Sequence, residues 1–212
     1  MKTFLTNLLF LALLAPKVVF ADLPGKFEVI IPNIPPVARS LDKVRIDEVF
    51  SFTCSHCWEL NKQIPLIEKI FEGKLEISAR PIGWAGPNPG RLYYIGLEKG
   101  KGQQVKDRIF SFVFEQDLAQ QINNKEILKN VAILEGLSNE FVTMMESPDI
   151  IKKMKDGIAI AEYANVDSTP TLIVENAITT SRDLKNLFEL VNALLKEPVE
   201  NALQKYNTLE KK

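Results

Sequence analysis

Residues 44–57 read VRIDEVFSFTCSHC, and the prediction of the fold starts from them. The segment begins with alternating apolar and polar side chains, and β-branched and aromatic residues follow. This pattern is typical of a strand that enters a hydrophobic core. Apolar residues at helical spacing follow over 58–71, with a kink expected at Pro65, and 75–81 (LEISARP) is typical of a second strand. A strand, a helix and a strand in this order predict a βαβ unit with parallel pairing.

The C-x-x-C motif of Cys54 and Cys57 lies between the strand and the helix, which is a redox geometry. The first cysteine is placed at a helix N-terminus, where free N–H groups and the helix dipole favour a thiolate. We therefore expect Cys54 to be the exposed reactive sulfur and Cys57, inside the first turn, to be the buried resolving partner. A positive charge on His56 would add electrostatic stabilisation to the Cys54 thiolate.

Three other interpretations of the cysteines compete with redox activity. A closed zinc site needs a further ligand, because two cysteines and the lone histidine supply at most three soft ligands, so we expect no metal. A structural disulfide across four residues would close almost no loop entropy and would stabilise little. Composition alone leaves open that both cysteines are buried and inert.

Length and composition set the class of protein. The chain has 212 residues, with 26 basic and 27 acidic side chains and a net charge of −1, so no basic surface for nucleic acid is expected. Apolar residues make up 46% and charged residues 25%, which is ordinary for a globular protein. The length fits one domain, or one domain with a sizeable insertion.

The pattern of the chain changes after residue 83, where a Gly/Pro/Asn-rich linker leads into helical signals that continue to about residue 163. Asn123, Ser147 and Ser181 are the predicted caps of three helices. Strand character returns at 171–174. We therefore expect an α/β domain made of residues 22–83 and 164–212, interrupted by an all-helical insertion domain at 84–163.

Residues 1–21 are typical of a cleavable secretory signal peptide. Lys2 precedes an unbroken apolar run at 8–14, and cleavage is expected after Ala21. Pro16 and Lys17 interrupt the run well short of a membrane span, so we expect an exported protein that is not itself embedded in a membrane. The predicted location is the periplasm, where disulfides persist.

Residues 50–57 (FSFTCSHC), behind a predicted signal peptide, resemble the active-site strand and helix start of DsbA-type thiol:disulfide oxidoreductases. The resemblance implies a thioredoxin fold with an inserted all-helical domain. It also implies a cis-proline facing the cysteines, which Thr169-Pro170 matches. The chain departs from the best-known oxidants at Ser55, where they have proline, and at Thr169, which is similar to the disulfide isomerases. The turn at 175–177 lacks the usual Asn-Gly.

The resemblance also implies roles for residues around the cysteines. Pro170 would hold a backbone edge beside Cys54 with which an extended substrate chain can pair, and Thr169 and Ser55 are predicted to contact that chain. Glu48 matches a buried acid near the resolving cysteine, which could exchange protons with Cys57. The alternative for Glu48 is a solvent-facing acid on the strand.

The leading hypothesis is a periplasmic oxidase that introduces disulfides into unfolded exported proteins through a Cys54–Cys57 disulfide, without another cofactor. By resemblance, a membrane quinone-linked oxidase would reoxidise it. Thr169 motivates the alternative of a disulfide isomerase or reductase, although we expect no long N-terminal dimerisation domain, which favours the oxidase. A third hypothesis is a redox-inactive, peptide-binding chaperone.

Overall fold

The computed structural model describes residues 23–30, 42–197, 199 and 201, so the predicted signal peptide at 1–21 lies outside the described residues. The described strands are β1 Glu28–Val29, β2 Val44–Phe50, β3 Leu75–Pro81, β4 Thr171–Val174 and β5 Ile178–Thr180. The helices are α1 Ser55–Ile70, α2 Asn88–Glu98, α3 Gly102–Phe114, α4 Lys125–Leu134, α5 Ser138–Met144, α6 Pro148–Tyr163 and α7 Leu184–Leu194. None of the helices within this part of the chain combines the length and the apolar character that a membrane span requires.

The five strands form one mixed sheet in the order β1-β5-β4-β2-β3. Strand β2 pairs with β3 in parallel, which confirms the predicted βαβ unit, and with β4 in the antiparallel sense. The hairpin of β4 and β5 turns through Glu175 and Asn176, which both have positive φ (54° and 56°). Glu175 exchanges main-chain and side-chain hydrogen bonds with Arg45 of β2, so contacts with a neighbouring strand support a turn that has no glycine.

Each face of the sheet is covered by helices. Helices α1 and α7 pack on the face that carries Val44 and Ile46 of β2, while the C-terminal part of α6 packs on the opposite face, against Val49. Val44 and Ile46 thus point to one face of the sheet and Val49 to the other. Strand β2 is therefore buried on both faces, as expected for a central strand covered by helices on both sides.

Helices α2 to α6 lie between β3 and β4 in the chain and form a core of their own. That core continues into the end of β2 and the start of α1, because Phe50, Phe52 and Cys57 belong to the same buried cluster. The expected arrangement, an α/β unit interrupted by helices, is therefore observed, while the bounds 84 and 163 remain a prediction.

Two of the three predicted helix caps were wrong, one of them by one residue and the other by two. Asn124, rather than Asn123, caps α4, because the Asn123 side chain accepts a hydrogen bond from the backbone N–H of Asn88 at 3.0 Å. Asp183, rather than Ser181, caps α7 by accepting from the N–H of Asn186 at 2.9 Å. Ser147 caps α6 as predicted.

Candidate active site

Cys54 is the N-cap residue of α1. Its backbone is extended (φ −92°, ψ 114°), and its Sγ accepts a hydrogen bond from the backbone N–H of Cys57 at 3.2 Å. A tight turn after β2 produces this placement, since the N–H of Cys54 donates to the carbonyl of Ser51 at 3.2 Å. The predicted placement of Cys54, at the N-terminus of a helix that follows a strand, is observed.

The two cysteines differ in exposure. Both are free thiols, with Cys54 partly exposed and Cys57 fully buried, as expected. Burial raises the pKa of the Cys57 thiol above its ordinary value, and a hydrogen bond with Cys54 raises it further, against a smaller opposing effect of the Ser51 backbone. Cys57 is therefore protonated at neutral pH in this state.

The chain before β4 comes to the cysteines from far away in the sequence. The peptide bond between Thr169 and Pro170 is cis, as the resemblance implies, and the Cys54 Sγ–H donates to the carbonyl oxygen of Thr169 at 3.2 Å. Pro170 also lines a surface groove of about 580 Å³ that extends past β5 to β1. The structure thus brings a partly exposed sulfur and a backbone carbonyl together, next to a proline that lines the groove.

The remaining residues of the motif lie on the surface. Ser55 and His56 are exposed in the first turn of α1. Trp58, one residue past Cys57, stacks on Phe114 of α3 with a ring-centroid distance of 4.8 Å. The start of α1 therefore presents a polar surface around Cys54 and is supported from behind by the inserted helices.

Glu48 is fully buried on β2, so the alternative of a solvent-facing acid is wrong. Its Oε2 accepts a hydrogen bond from the Lys106 ammonium of α3 at 2.6 Å, and Lys106 is only 2% exposed. Loss of solvent raises the pKa of the Glu48 carboxyl, and the charge of Lys106 partly opposes that rise. Asp47 points to the other face of the sheet and pairs with Arg80 at 2.6 Å.

Lys106 is the site residue that sequence reasoning missed. The sequence predicts helical structure in this part of the chain but does not single out Lys106 as a candidate. A signal was present, however, because Lys106 precedes Phe110 by four residues and Val113 by seven, and so belongs to an apolar stripe. A single cation on such a stripe indicates a buried partner of opposite charge.

The geometry fits thiol–disulfide exchange. The accessible sulfur of Cys54, at a helix N-terminus, can react with a sulfur of another protein to form a mixed disulfide. The sulfur of Cys57 lies one helical turn away and can resolve that mixed disulfide. Among the residues that the structure describes, no group of three or more His, Cys, Asp or Glu side chains is arranged to hold a metal ion.

Comparison with known proteins agrees with this geometry. Residues 42–193 match the family described as Thioredoxin. The thiol:disulfide interchange protein DsbA of Bordetella parapertussis is 23% identical over 185 residues, which span 85% of this chain and 88% of that relative.

Solved structures share the architecture. The oxidoreductase DsbA from Xylella fastidiosa aligns with a TM-score of 0.69 and 20% identity over 82% of this chain and 97% of that one. A variant of Proteus mirabilis DsbA, solved with a non-covalently bound peptide, aligns with a TM-score of 0.64 and 16% identity over 82% of this chain and 97% of that one. The expected fold, a thioredoxin fold with an inserted all-helical domain, is confirmed.

Proposed function

This chain belongs to the thioredoxin family and is a thiol:disulfide oxidoreductase of the DsbA type, and from that premise we propose that it introduces disulfides into exported proteins in the periplasm. One observation carries the proposal: the partly exposed Cys54 sulfur caps α1, accepts the Cys57 N–H and lies 3.2 Å from the Thr169 carbonyl oxygen. A sulfur in this position is a good leaving group, because the helix N-terminus stabilises its thiolate.

The reaction starts from the Cys54–Cys57 disulfide, the only redox group that the proposal requires. A thiolate of an unfolded exported chain attacks the Cys54 sulfur, the bond to Cys57 breaks, and Cys57 takes up a proton. A second thiolate of the same chain then attacks its own sulfur in the mixed disulfide and releases Cys54 as a thiolate. The substrate leaves oxidised and the enzyme leaves reduced.

Thr169 and Pro170 would position the substrate. The backbone beside them faces the Cys54 sulfur and the adjoining groove, so an extended chain can place its cysteine there by pairing with main-chain groups. The peptide complex of the Proteus mirabilis relative supports such binding in the family. We assign contacts with the substrate to Ser55 as well, and stabilisation of the Cys54 thiolate to His56, because both side chains are exposed in the first turn of α1.

Return of the enzyme to its oxidised form requires an electron acceptor. A membrane quinone-linked oxidase, which would itself present a disulfide to Cys54, is the partner that the proposal requires. The reduced state described here, with a buried Cys57 thiol and an accessible Cys54, is the form that such a partner would meet.

The test is the equilibrium of the cysteine pair with a glutathione redox buffer, read by alkylation and mass spectrometry. An oxidase is expected to be more oxidising than about −200 mV, while a value near about −270 mV, as in thioredoxin, would overturn the oxidase assignment. Cys54→Ser and Cys57→Ser should each abolish oxidation of a reduced dithiol peptide, because neither variant can form the Cys54–Cys57 disulfide that accepts the electrons. Full biological function in Cys54→Ser would indicate a redox-inactive chaperone.

Thr169 favours a second candidate, a disulfide isomerase or reductase of the same fold. The carbonyl oxygen of Thr169 contacts the sulfur of Cys54. The threonine before the cis-proline is also the feature in which this chain resembles the disulfide isomerases. Refolding of a scrambled multi-disulfide protein without added oxidant distinguishes the isomerase from the oxidase. An isomerase restores the native pairing under those conditions, whereas an oxidase leaves the scrambled bonds in place.

A further inference from the structure

A short segment near the N-terminus forms the outer wall of the groove that begins at Pro170. Residues 26–30 line one side of this groove of about 580 Å³, and residues 164–168 line the other side. Strand β1 lies within the first of these segments and is the outermost of the described strands. The shape of the groove therefore depends on the contacts that hold residues 26–30 in place.

One end of this segment is held by apolar packing. Ile30 is only 5% exposed and packs with Ala161 and Ala164 at the C-terminal end of α6. Its N–H also donates to the carbonyl of Ala177 at 2.9 Å. Burial of the Ile30 side chain therefore fixes this end of the wall.

The other end is held by the side chain of Asn186, in the first turn of α7. Its Oδ1 accepts a hydrogen bond from the N–H of Lys26 at 2.5 Å, and its Nδ2 donates to the carbonyl of Lys26 at 2.8 Å. An asparagine amide has the same donor and acceptor groups as a peptide bond, so it pairs with Lys26 as a neighbouring strand would. Strand β5 ends at Thr180, and Asn186 continues the support of the wall beyond that end.

The surroundings of the Asn186 amide fit this contact closely. Asn186 is 9% exposed, and its Nδ2 also donates to Thr180 Oγ1 at 2.7 Å, while that hydroxyl donates to the carbonyl of Lys26 at 2.8 Å. Gly25 has a φ of +93°, and a Cβ at this position would lie 2.1 Å from Asn186 Oδ1. Only glycine fits there, because any side chain would both strain the backbone and displace the amide.

We propose that Asn186 is a positioning residue for the substrate: it holds residues 26–30 as the outer wall of a groove that binds the part of an extended substrate chain beyond its reacting cysteine. The inference rests on the proposed function and goes beyond it by assigning a binding surface outside the surroundings of Cys54. Hydroxyl and amide side chains line the groove, and such groups can bond the main chain of an unfolded protein whatever its sequence. They include Asn165, Ser168, Thr171, Thr179 and Ser181.

The experiment compares two dithiol peptides as substrates of the oxidised full chain. The short peptide is Cys-X-X-Cys alone, and the long peptide continues it by about six residues at each end, roughly 20 Å of extended chain, which can pass from Cys54 into the groove. Reduction of the enzyme is followed by alkylation and mass spectrometry, which gives a second-order rate constant for each peptide. In the wild type, the long peptide is expected to react about fivefold faster than the short one or more.

Removal of the Asn186 amide should abolish this preference. In Asn186→Ala, the rate constant for the long peptide should fall about fivefold, because binding must then order the unsupported wall, while that for the short peptide should stay within about twofold of wild type. Gly25→Ala, which displaces the amide but keeps it, should give the same loss, and the double variant should be no slower than either single variant. Asn192→Ala, which removes an exposed amide from the same helix, is the matched control and should keep the preference.

A purely structural role of Asn186 would give a different result. Asn186→Ala would then lower the unfolding temperature while the preference for the long peptide persisted, and that outcome would overturn the inference. Equal slowing of both peptides would also overturn it, because the effect would then lie at Cys54 and not in the groove. If Asn186→Ala does not fold, Asn186→Asp, which keeps the acceptor but loses both donors, serves instead, and an unchanged preference in it has the same meaning.

The wild type separates this inference from the proposed function. If it oxidises both peptides at the same rate, the groove does not bind the substrate, and the inference alone is overturned. If it oxidises neither peptide, the proposed function is overturned together with the inference.

Discussion

The first two turns of α1 and its last two turns pack against different surroundings. In the first half, buried Asn61 donates to Asp107 of α3 at 2.6 Å, and Glu48 and Lys106 form a buried ion pair below the helix. In the second half, Ile64 and Ile67 join an apolar cluster with residues of α7 and β2. One helix thus has a polar half next to the reactive sulfur and an apolar half away from it.

The strand beneath the helix explains the difference. Along the face of β2 that α1 covers, Val44 and Ile46 lie under the apolar half, and Glu48 and Phe50 lie towards the reactive half. A buried ion pair generally stabilises a fold no better than apolar residues of similar size. Stability is therefore expected to come mainly from the apolar half.

The largest loss of stability is expected from the apolar half. Ile64→Ala removes a side chain that is 6% exposed and leaves a cavity between α1 and α7, which should lower the free energy of unfolding by about 2–5 kcal/mol. Chemical denaturation measures the loss, with Leu66→Ala, at a position 57% exposed on the same helix, as the matched control. The equilibrium with glutathione should stay within about twofold of wild type, and a tenfold change would contradict the separation of the two halves.

A smaller loss is expected from the polar contacts between α1 and α3. Asn61→Ala removes an amide that donates to Asp107 and accepts from Gln103, and the free energy of unfolding should fall by about 1–3 kcal/mol. Both partners are exposed enough to turn to water, which limits the loss. Asn192→Ala is the control, because its amide bonds a carbonyl of its own helix at the surface. If Asn61→Ala and Asn192→Ala lowered the free energy of unfolding equally, the contact between α1 and α3 would not contribute to stability.

The local features of the site were predictable from sequence, and its long-range contacts were not. The strand and the helix start around Cys54 follow from periodicity and from capping geometry, which act over a few residues. The partner of Glu48 depends on how α3 packs across β2, and 58 positions separate Lys106 from it. Likewise, the prediction of Asn123 as a helix cap was wrong because its side chain bonds Asn88, a contact that depends on the packing of two distant segments.

The pH dependence of stability should separate the charged half from the apolar half. Because the pKa of Glu48 is raised in the folded state, this group stabilises the fold fully below its ordinary value of 4.5 and loses that contribution as the pH rises through the raised value. The free energy of unfolding of the wild type should therefore fall, relative to Glu48→Gln/Lys106→Met, as the pH is raised above 4.5. Denaturation at a series of pH values measures the difference, and parallel curves would show that Glu48 does not titrate with a raised pKa.

The smallest effect is expected from a charge pair on the outer surface of the reactive half, where Arg182 bonds Glu59 of α1 at 2.6 Å. The two side chains are 37% and 54% exposed, so water and salt screen their attraction, and Arg182→Ala should lower the free energy of unfolding by less than about 1 kcal/mol. Lys152→Ala, which breaks the exposed pair with Asp156 within α6, is the matched control and should give a similar value. A loss from Arg182→Ala as large as that from Asn61→Ala would mean that the loop before α7 holds the reactive half in place. The polar half would then draw part of its stability from an exposed charge pair, and the difference in stability between it and the apolar half would be smaller than expected.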